Sequence, residues 1–340
     1  MADVLILRGR VTPVVEEYHV ERMKEAAGGE VYRCATEDEA LEKGYDAEVL
    51  LFSGGTGKMP EAWCNQSKKL KWAHTFSSGV NQIAASSMAD LPIKLTNAQG
   101  VPATSMAVMT LGYILAFMKM LPKHMEDKQR HVWDKPQAPK LPKNPSGQTV
   151  VILGAGAIGA EVARLCKAMD MYVIGVKRSP AELPNYDEIY VSEDKMAAVA
   201  RADYLVVLTP LTDETLNMVD YEFLKQMKPD SVFINISRGP VVNEVDLARA
   251  LQEGVIAGAA LDTFVHEPLP QDSPLWDISN VIITPHSCYL SADYMDNVIE
   301  LFCENLRRYN RGEKLLNEVD MESLKCSISH EVQHVEVPRK

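Results

Sequence analysis

Short apolar, β-branched segments alternate with helical patterns along nearly the whole chain, and this alternation restricts the possible folds more than any other feature. Segments in this order form right-handed β-α-β units, which build parallel sheets covered by helices. A stretch at 102–124 that is rich in Met and Leu, apolar enough to be a buried connecting helix, separates two series of such strands. The sequence therefore predicts an α/β fold with two parallel sheets. The expected strands lie at 4–7, 31–33, 47–52, 71–75 and 93–96 in the first series, and at 149–153, 171–176, 204–208, 231–236, 257–261 and 281–284 in the second.

Three further segments complete the predicted organisation. The proline-rich segment at 135–145 is typical of an exposed loop. The helical pattern at 290–309 follows the last strand and is expected to carry the chain back onto the first domain. The polar tail at 321–340 has no pattern from which a structure could be predicted.

Composition and charge exclude several classes of function. The net charge of −12 repels a phosphate backbone, which argues against general nucleic-acid binding. No apolar run is long enough to predict a membrane-spanning helix, and the first residues lack the layout of a signal peptide. The six cysteines include no Cys-x-x-Cys pair, which argues against a zinc site or a disulfide framework. We therefore expect a cytoplasmic protein with no metal, membrane or nucleic-acid partner.

A glycine-rich turn follows the first strand of the second series directly. In this G-x-G-x-x-G pattern, Gly154 permits the tight turn, Gly156 lets the backbone approach a pyrophosphate, and Gly159 lets the next helix pack closely on the strand. The first turn of that helix, with Ala157 and Ile158, supplies unpaired N–H groups for an anion. The pattern predicts a dinucleotide site; a turn without a ligand is the alternative.

The end of the second strand in this series bears on the choice of coenzyme. An Asp or Glu there would grip the ribose 2′-hydroxyl of NAD(H). The chain has Lys177, Arg178 and Ser179 instead, two cations and a hydroxyl that suit a 2′-phosphate. NADP(H) is therefore favoured. NAD(H) stays the alternative if these residues are only solvated loop charges.

Three ionisable residues each lie just beyond an apolar strand of the second series. They are Arg238, Glu267 and His286, and the ends of parallel strands converge on the cofactor crevice of an open sheet. Together they supply a cation for a carboxylate, a carboxylate and an imidazole, the groups needed to reduce a 2-oxo acid. Any one of them alone is equally compatible with a surface or loop residue.

The Ser-Arg-Gly, Glu-Pro-Leu-Pro and Thr-Pro-His segments that contain these residues closely resemble the D-isomer-specific 2-hydroxyacid dehydrogenase family, of the glyoxylate/hydroxypyruvate reductase type. The resemblance covers about residues 45–320. It implies a Rossmann dinucleotide-binding domain at 102–290, inserted into a flavodoxin-like substrate-binding domain at 1–101 and 291–320, with a tail at 321–340. It also implies a homodimer formed largely through the dinucleotide-binding domain and the region 102–133.

The resemblance also implies the roles of individual residues. Arg238 should hold the substrate carboxylate, His286 should be the general acid in reduction, and Glu267 should hydrogen-bond the other ring nitrogen of His286. Asp262 should contact the nicotinamide carboxamide, and Thr209 and Pro210 should form a wall beside the coenzyme. The remaining implied contacts are Ile236, Ser237, Arg238 and His286 for the coenzyme, and Ser53, Gly54, Ser78, Gly79, Val80, Arg238 and His286 for the substrate.

These features lead to one expected function and two alternatives. We expect an NADP(H)-preferring reductase of small 2-oxo acids that yields D-2-hydroxy acids. A formate dehydrogenase would call for Gln where Glu267 stands. A non-enzymatic, coenzyme-sensing corepressor of the same fold retains similar residues, so the sequence leaves this alternative open. The family pattern is broken at Val108, which replaces an acid, and at Ser287–Tyr289, where small residues often follow the histidine.

Overall fold

The computed structural model describes residues 1–7, 14–53, 59–179 and 182–326. The strands are β1 (Ala2–Leu7), β2 (Gly28–Cys34), β3 (Val49–Phe52), β4 (Trp72–Thr75), β5 (Lys94–Asn97), β6 (Thr149–Leu153), β7 (Tyr172–Lys177), β8 (Glu188–Val191), β9 (Tyr204–Val207), β10 (Val232–Asn235), β11 (Gly258–Leu261) and β12 (Val281–Ile283). The helices are α1 (Glu17–Ala27), α2 (Glu37–Glu42), α3 (Glu61–Gln66), α4 (Asn81–Ala84), α5 (Ala103–Met118), α6 (Leu121–Gln129), α7 (Ala157–Ala168), α8 (Lys195–Val199), α9 (Tyr221–Leu224), α10 (Glu244–Gln252), α11 (Tyr294–Arg311) and α12 (Met321–Cys326).

The chain divides into two compact units, each built around one parallel sheet, which confirms the predicted fold class. The first unit contains Met1–Pro102 and the chain from Ser291 to the last described residue. The second unit contains Ala103–Leu290. The two ends of the chain therefore build one unit and its middle builds the other.

The first unit has a five-stranded sheet in the order β2-β1-β3-β4-β5, with every pair parallel. Strands β3 and β4 are buried along their whole length, as expected where helices cover both faces. Helix α11 returns the chain to this unit and packs on α1, with the Arg22 guanidinium donating to Glu300. After α11 the chain adds a bridge between Glu318 and Thr96 at the β5 edge.

The second unit has a seven-stranded sheet in the order β12-β11-β10-β9-β6-β7-β8, again all parallel. The strand order reverses between β6 and β9, because the chain builds outward from β6 on one side and from β9 on the other. In open parallel sheets, ligands bind beyond the carboxyl ends of the strands at this reversal. The fold thus places the candidate binding position beside the glycine-rich turn after β6.

The predicted connecting helix at 102–124 is instead two helices, α5 and α6, bent by 65°. The break has a local cause, because Met120 adopts a left-handed backbone (φ 57°) and Pro122 occupies the first turn of α6. Within the described ranges, no single helix is long and apolar enough to cross a membrane, and α5 and α6 meet that test only as a bent pair. Much of α5 is buried in the core of the second unit.

The structure contains a short helix in the tail and an edge strand that the sequence patterns do not predict. The short helix α12 lies in the tail, where Lys325 Nζ donates to the Ala89 carbonyl at 3.1 Å and to Asp90 at 2.5 Å. The rest of the tail, 327–340, lies outside the described residues. The edge strand β8 is only half-buried and therefore lacks a strong apolar signal.

Ionic and hydroxyl contacts attach β8 to its neighbours. The Arg201 guanidinium donates to both carboxylate oxygens of Glu188, at 2.7 and 2.8 Å, and the Tyr172 hydroxyl donates to the same carboxylate at 2.5 Å. These hydrogen bonds, first that of Arg201, lower the pKa of Glu188 to about 2. The carboxylate therefore favours the folded state in its charged form.

We predict that Glu188→Gln lowers the urea midpoint of unfolding at pH 7 and that this difference from the unmodified protein shrinks on acidification. Because the folded pKa of Glu188 lies below its ordinary value of 4.5, its contribution is complete above that value and is lost as the pH falls towards 2. Glu222→Gln is the matched control, because Glu222 pairs with Lys225 but is 71% exposed. Equal midpoints for both variants at pH 7 would contradict the prediction.

Candidate coenzyme and catalytic site

The backbone conformation and the close packing of the chain require glycine at the first position of the turn after β6. Gly154 has φ +106°, and a Cβ built on it would lie 2.8 Å from the Leu208 carbonyl carbon and 3.1 Å from the Thr209 nitrogen. Its N–H donates to the Val176 carbonyl at 3.0 Å, which ties the turn to β7. The turn therefore sits against the backbone that follows β9, at the reversal of the strand order.

The other two glycines of the turn meet different surroundings. A Cβ on Gly159 would lie 2.6 Å from the Gly154 carbonyl oxygen, so this glycine permits close packing of α7. A Cβ on Gly156 would meet no atom of the described residues within 4 Å. Packing within the described chain thus requires glycine at 154 and 159, whereas position 156 is open.

A negatively charged ligand fits the open position. Gly156 is the N-cap of α7 and provides no side chain to bind the first-turn N–H groups, among them those of Ala157 and Ile158. The nearby Thr209 hydroxyl is buried and has no hydrogen-bond partner among the described residues. An uncapped helix start and an unsatisfied buried hydroxyl together suit the phosphates and adjoining groups of a dinucleotide. The neighbouring Pro210 is exposed.

The predicted 2′-phosphate residues lie at the carboxyl end of β7. Lys177 is the last residue of the strand and is half-buried, whereas Arg178 and Ser179 follow it and are exposed. A 2′-phosphate could approach all three side chains from solvent. This geometry is compatible with either coenzyme.

His286 and Glu267 form a direct pair. The His286 ring nitrogen Nδ1 lies 2.7 Å from Glu267 Oε2, and Glu267 Oε1 accepts from the Phe264 N–H at 3.1 Å. A carboxylate can only accept, so Nδ1 carries the proton in this pair and Nε2 points away from the carboxylate. The pair is thus built to present Nε2 of a fixed ring to another molecule.

A buried carboxylate holds the backbone turn that contains His286. His286 has φ +49°, a left-handed conformation that is unfavourable for a residue with a side chain. Asp262 is completely buried and accepts from the Thr284 hydroxyl at 2.6 Å, the Ser287 N–H at 2.9 Å and the Cys288 N–H at 3.1 Å. Three donors from both sides of His286 therefore fix the turn on one carboxylate.

Arg238 follows β10, two residues after Ile236. Its Nη1 donates to the Ser237 carbonyl at 2.7 Å, and its own carbonyl accepts from Asn235 Nδ2 at 3.2 Å. A Cβ on the next residue, Gly239, would lie 1.9 Å from the carbonyl carbon of Phe264. Direct backbone contact thus joins the Arg238 segment to the loop that carries Glu267. Ile236 and Ser237 are both buried.

The predicted substrate residues in the first unit follow β3 and β4, which are neighbours in its sheet. Ser53 directly follows β3 and is half-buried, and Gly54 lies outside the described residues. Ser78 donates from its hydroxyl to the Ala98 carbonyl at 3.1 Å. Gly79 is half-buried, and Val80 packs on the core of this unit. Ser53 and the segment from Ser78 to Val80 therefore follow the carboxyl ends of two neighbouring strands of the first sheet.

Sequence reasoning missed two residues that support this arrangement. Glu244 accepts from the Val265 N–H at 2.5 Å, beside Glu267, and burial raises its pKa. An acid in the first turn of a helix is so ordinary that nothing in the sequence marks it. The second residue is Tyr113, whose hydroxyl lies 2.5 Å from Thr284 Oγ1. The only sequence feature that could have indicated it is the presence of a tyrosine within a largely apolar helix.

The positions that break the family pattern have distinct environments. Val108 is 55% exposed on α5, and Cys288 is buried. The Tyr289 ring stands edge-on to the His286 ring, with centroids 6.3 Å apart. Among the described residues, no group of three or more His, Cys, Asp or Glu side chains is arranged to hold a metal ion.

Comparison with known proteins identifies the family. The profile of the D-isomer specific 2-hydroxyacid dehydrogenase NAD binding domain matches residues 111–288. A glyoxylate reductase of Thermofilum pendens is 30% identical over 326 residues, which cover 93% of this chain and 95% of the relative. A glyoxylate reductase/hydroxypyruvate reductase of Mus musculus is 31% identical over 257 residues, with 74% and 77% covered.

A solved structure agrees with this result. The D-isomer specific 2-hydroxyacid dehydrogenase of Xanthobacter autotrophicus Py2, in complex with NADPH and MES, is 27% identical, with a TM-score of 0.80. The match covers 95% of this chain and 99% of that one. The chain therefore belongs to the D-isomer-specific 2-hydroxyacid dehydrogenase family and is an NAD(P)-dependent oxidoreductase.

Proposed function

We propose that the chain reduces small 2-oxo acids of the glyoxylate and hydroxypyruvate type to D-2-hydroxy acids, with NADP(H) preferred over NAD(H). The observation that carries the proposal is the His286–Glu267 pair, 2.7 Å apart, in the loop region that contacts the Arg238 segment. The relatives named glyoxylate reductase support the substrate class. The similar structure of Xanthobacter autotrophicus Py2 holds NADPH, and in this chain the proposed preference rests on Lys177–Ser179.

In this proposal, each catalytic residue has one task. The Arg238 guanidinium binds the substrate carboxylate through a planar fork that a lysine lacks. Nε2 of His286 delivers a proton to the carbonyl oxygen, while Glu267 holds the ring through Nδ1. A bound nicotinamide coenzyme supplies the hydride. In oxidation, the neutral ring takes the proton back.

The remaining predicted residues are proposed as binding contacts. Gly154, Gly156, Ala157, Ile158 and Gly159 bind the coenzyme phosphates. The other proposed coenzyme contacts are Thr209, Pro210, Ile236, Ser237 and Asp262. The proposed substrate contacts in the first unit are Ser53, Gly54, Ser78, Gly79 and Val80.

A panel of 2-oxo acids assayed with NADPH tests the function. We expect turnover with glyoxylate and hydroxypyruvate, and a fall of at least tenfold in kcat/KM for every active acid in Arg238→Lys, because the charge stays and the fork is lost. NADPH binding, followed by fluorescence, should be unchanged in this variant. Absence of turnover with the whole panel would favour the coenzyme-sensing alternative, and turnover of formate would favour the formate dehydrogenase alternative.

The coenzyme preference has its own test. The unmodified protein should show a higher kcat/KM for NADPH than for NADH. Arg178→Ala should raise KM for NADPH about tenfold and leave kcat nearly unchanged, because a 2′-phosphate is remote from the reacting atoms. KM for NADH should not change. Equal efficiency with both coenzymes in the unmodified protein would overturn the NADP(H) preference.

The Glu267–His286 pair predicts a dependence of turnover on the acceptor that holds the ring. Glu267 Oε2 accepts from Nδ1 and so fixes the ring that offers Nε2. Glu267→Ala removes this acceptor, so kcat for reduction should fall at least tenfold, whereas Glu267→Gln keeps an acceptor oxygen and should lose less. His286→Ala should remove most turnover and leave NADPH binding intact. An unchanged kcat in Glu267→Ala would mean that Glu267 does not position the proton donor.

We also propose a cytoplasmic homodimer. Apolar side chains are exposed along α5, α6 and the loop that follows, namely Val108, Leu121, Met125, Val132, Trp133 and Leu141. A second copy of the chain covering this face would explain their exposure. The cysteines Cys34, Cys64, Cys166, Cys288 and Cys303 are free, which suits a reducing compartment. The mass in solution, against 37.8 kDa for one chain, measures the oligomeric state directly.

A further inference from the structure

A chain of hydrogen bonds leads from the core helix α5 to the turn that carries His286. The Tyr113 hydroxyl lies 2.5 Å from Thr284 Oγ1, and Thr284 Oγ1 donates to Asp262 Oδ1 at 2.6 Å. Tyr113 is 3% exposed and Asp262 is completely buried, so water does not compete strongly for these groups. All three residues belong to the second unit. Tyr113 and Asp262, the first and last residues of this series of hydrogen bonds, are 149 residues apart in sequence.

The direction of the protons in this chain follows from the acceptor at its end. A carboxylate accepts hydrogen bonds and donates none, so Thr284 must give its single hydroxyl proton to Asp262. The Thr284 oxygen is then left as an acceptor, and Tyr113 must be the donor to it. The phenol therefore acts on Asp262 only through Thr284, and both hydrogen bonds run in one direction, from Tyr113 to Thr284 and from Thr284 to Asp262.

Asp262 transmits this arrangement to the backbone on the far side of His286. Its carboxylate accepts from the N–H groups of Ser287 and Cys288, the two residues that follow the histidine. Thr284 and Ser287 both donate to Oδ1, so one oxygen joins the residues before and after Pro285–His286. The left-handed backbone of His286, with φ +49°, is held between these contacts.

We propose that Tyr113 is a positioning residue for His286, acting through Thr284 and Asp262. By orienting the Thr284 hydroxyl, the phenol fixes the carboxylate, and the carboxylate fixes the turn that aims Nε2. The inference rests on the proposed role of His286 as the proton donor. It assigns to α5 a part in proton transfer, in addition to its packing in the core.

The test compares Tyr113→Phe with a buried tyrosine that lies elsewhere in the same core. Tyr113→Phe keeps the ring and removes only the donor. Tyr204→Phe is the matched control, because Tyr204 is also 3% exposed and lies in the same core. It is the first residue of β9 and so lies at the amino ends of the parallel strands, whereas Thr284 follows the carboxyl end of β12. Thr284→Val removes both hydrogen bonds at nearly constant shape, and Thr284→Ser restores the hydroxyl.

Two measurements are made on each variant. The first is kcat and KM for the best 2-oxo acid at saturating NADPH. The second is the NMR shift of the His286 Cε1–H, assigned from its disappearance in His286→Gln and recorded without coenzyme or substrate. The second measurement reports on the ring even if no 2-oxo acid is turned over.

Tyr113→Phe should lower kcat about fivefold with KM for the acid unchanged, the effect of one lost hydrogen bond on the aim of the donor. Thr284→Val should lower kcat further, Thr284→Ser should stay within about twofold of the unmodified protein, and the control should do the same. The His286 resonance should move in Tyr113→Phe and stay in place in Tyr204→Phe.

Failure of this inference is distinct from failure of the proposed function. An unmodified protein that reduces no 2-oxo acid would overturn the function, and the NMR comparison would still decide the role of Tyr113. An unmoved His286 resonance in Tyr113→Phe would overturn the positioning role. A fall in kcat no larger than that of Tyr204→Phe, or one matched by an equal rise in KM, would overturn it as well.

Discussion

The backbone contact between Gly239 and Phe264 sets the spacing of the segments that carry Arg238 and Glu267. A Cβ at position 239 would lie 1.9 Å from the Phe264 carbonyl carbon, so the two backbone segments are in contact without an intervening side chain. Arg238 precedes this contact, and Glu267 closes its own loop by accepting from the Phe264 N–H. The neighbouring strands β10 and β11 deliver both segments in register, with Asn235 opposite Leu261. The sheet therefore sets the approximate positions, and the glycine sets the final distance.

The three glycines of the turn after β6 are not all required for the same reason. Gly154 and Gly159 have protein atoms where a Cβ would be, whereas the space at Gly156 is open within the described chain. Folding alone would thus tolerate a side chain at position 156. The proposed coenzyme site would account for the glycine at this position, and the start of α7, which no side chain caps, is consistent with that proposal.

Sequence patterns predicted those parts of the structure that depend on local chemistry. Buried parallel strands such as β6 and β9 are continuous apolar runs, so they were visible without any tertiary information. The half-buried edge strand β8 has no such run, and its attachment through Arg201 and Glu188 joins residues that no periodicity links. The bend at Met120 had a local sign in Pro122, but the apolar composition of 102–124 outweighed it.

The candidate site divides in the same way. Arg238, Glu267 and His286 were predicted because they follow strands, and the carboxyl ends of parallel strands converge. The resemblance to the family implied one contact among them, the Glu267–His286 hydrogen bond. The other contacts that hold these residues were not predicted, because each is a tertiary hydrogen bond. Glu244 reaches Val265 across 21 residues, and Tyr113 reaches Thr284 across 171. Parallel-strand topology can be deduced from order along the chain, whereas the partner of a buried hydroxyl cannot.

The way in which Asp262 holds the His286 turn has a consequence for substitutions at positions 287 and 288 of this chain. The carboxylate binds Ser287 and Cys288 through their backbone N–H groups, which every amino acid except proline possesses. Mutational drift at these two positions can therefore change the surface beside the histidine while the histidine keeps its orientation. Proline alone is forbidden there by this contact, and the buried position of Cys288 adds a limit on size. Under the proposed function, substrate preference could therefore change at these positions without a change in the orientation of His286.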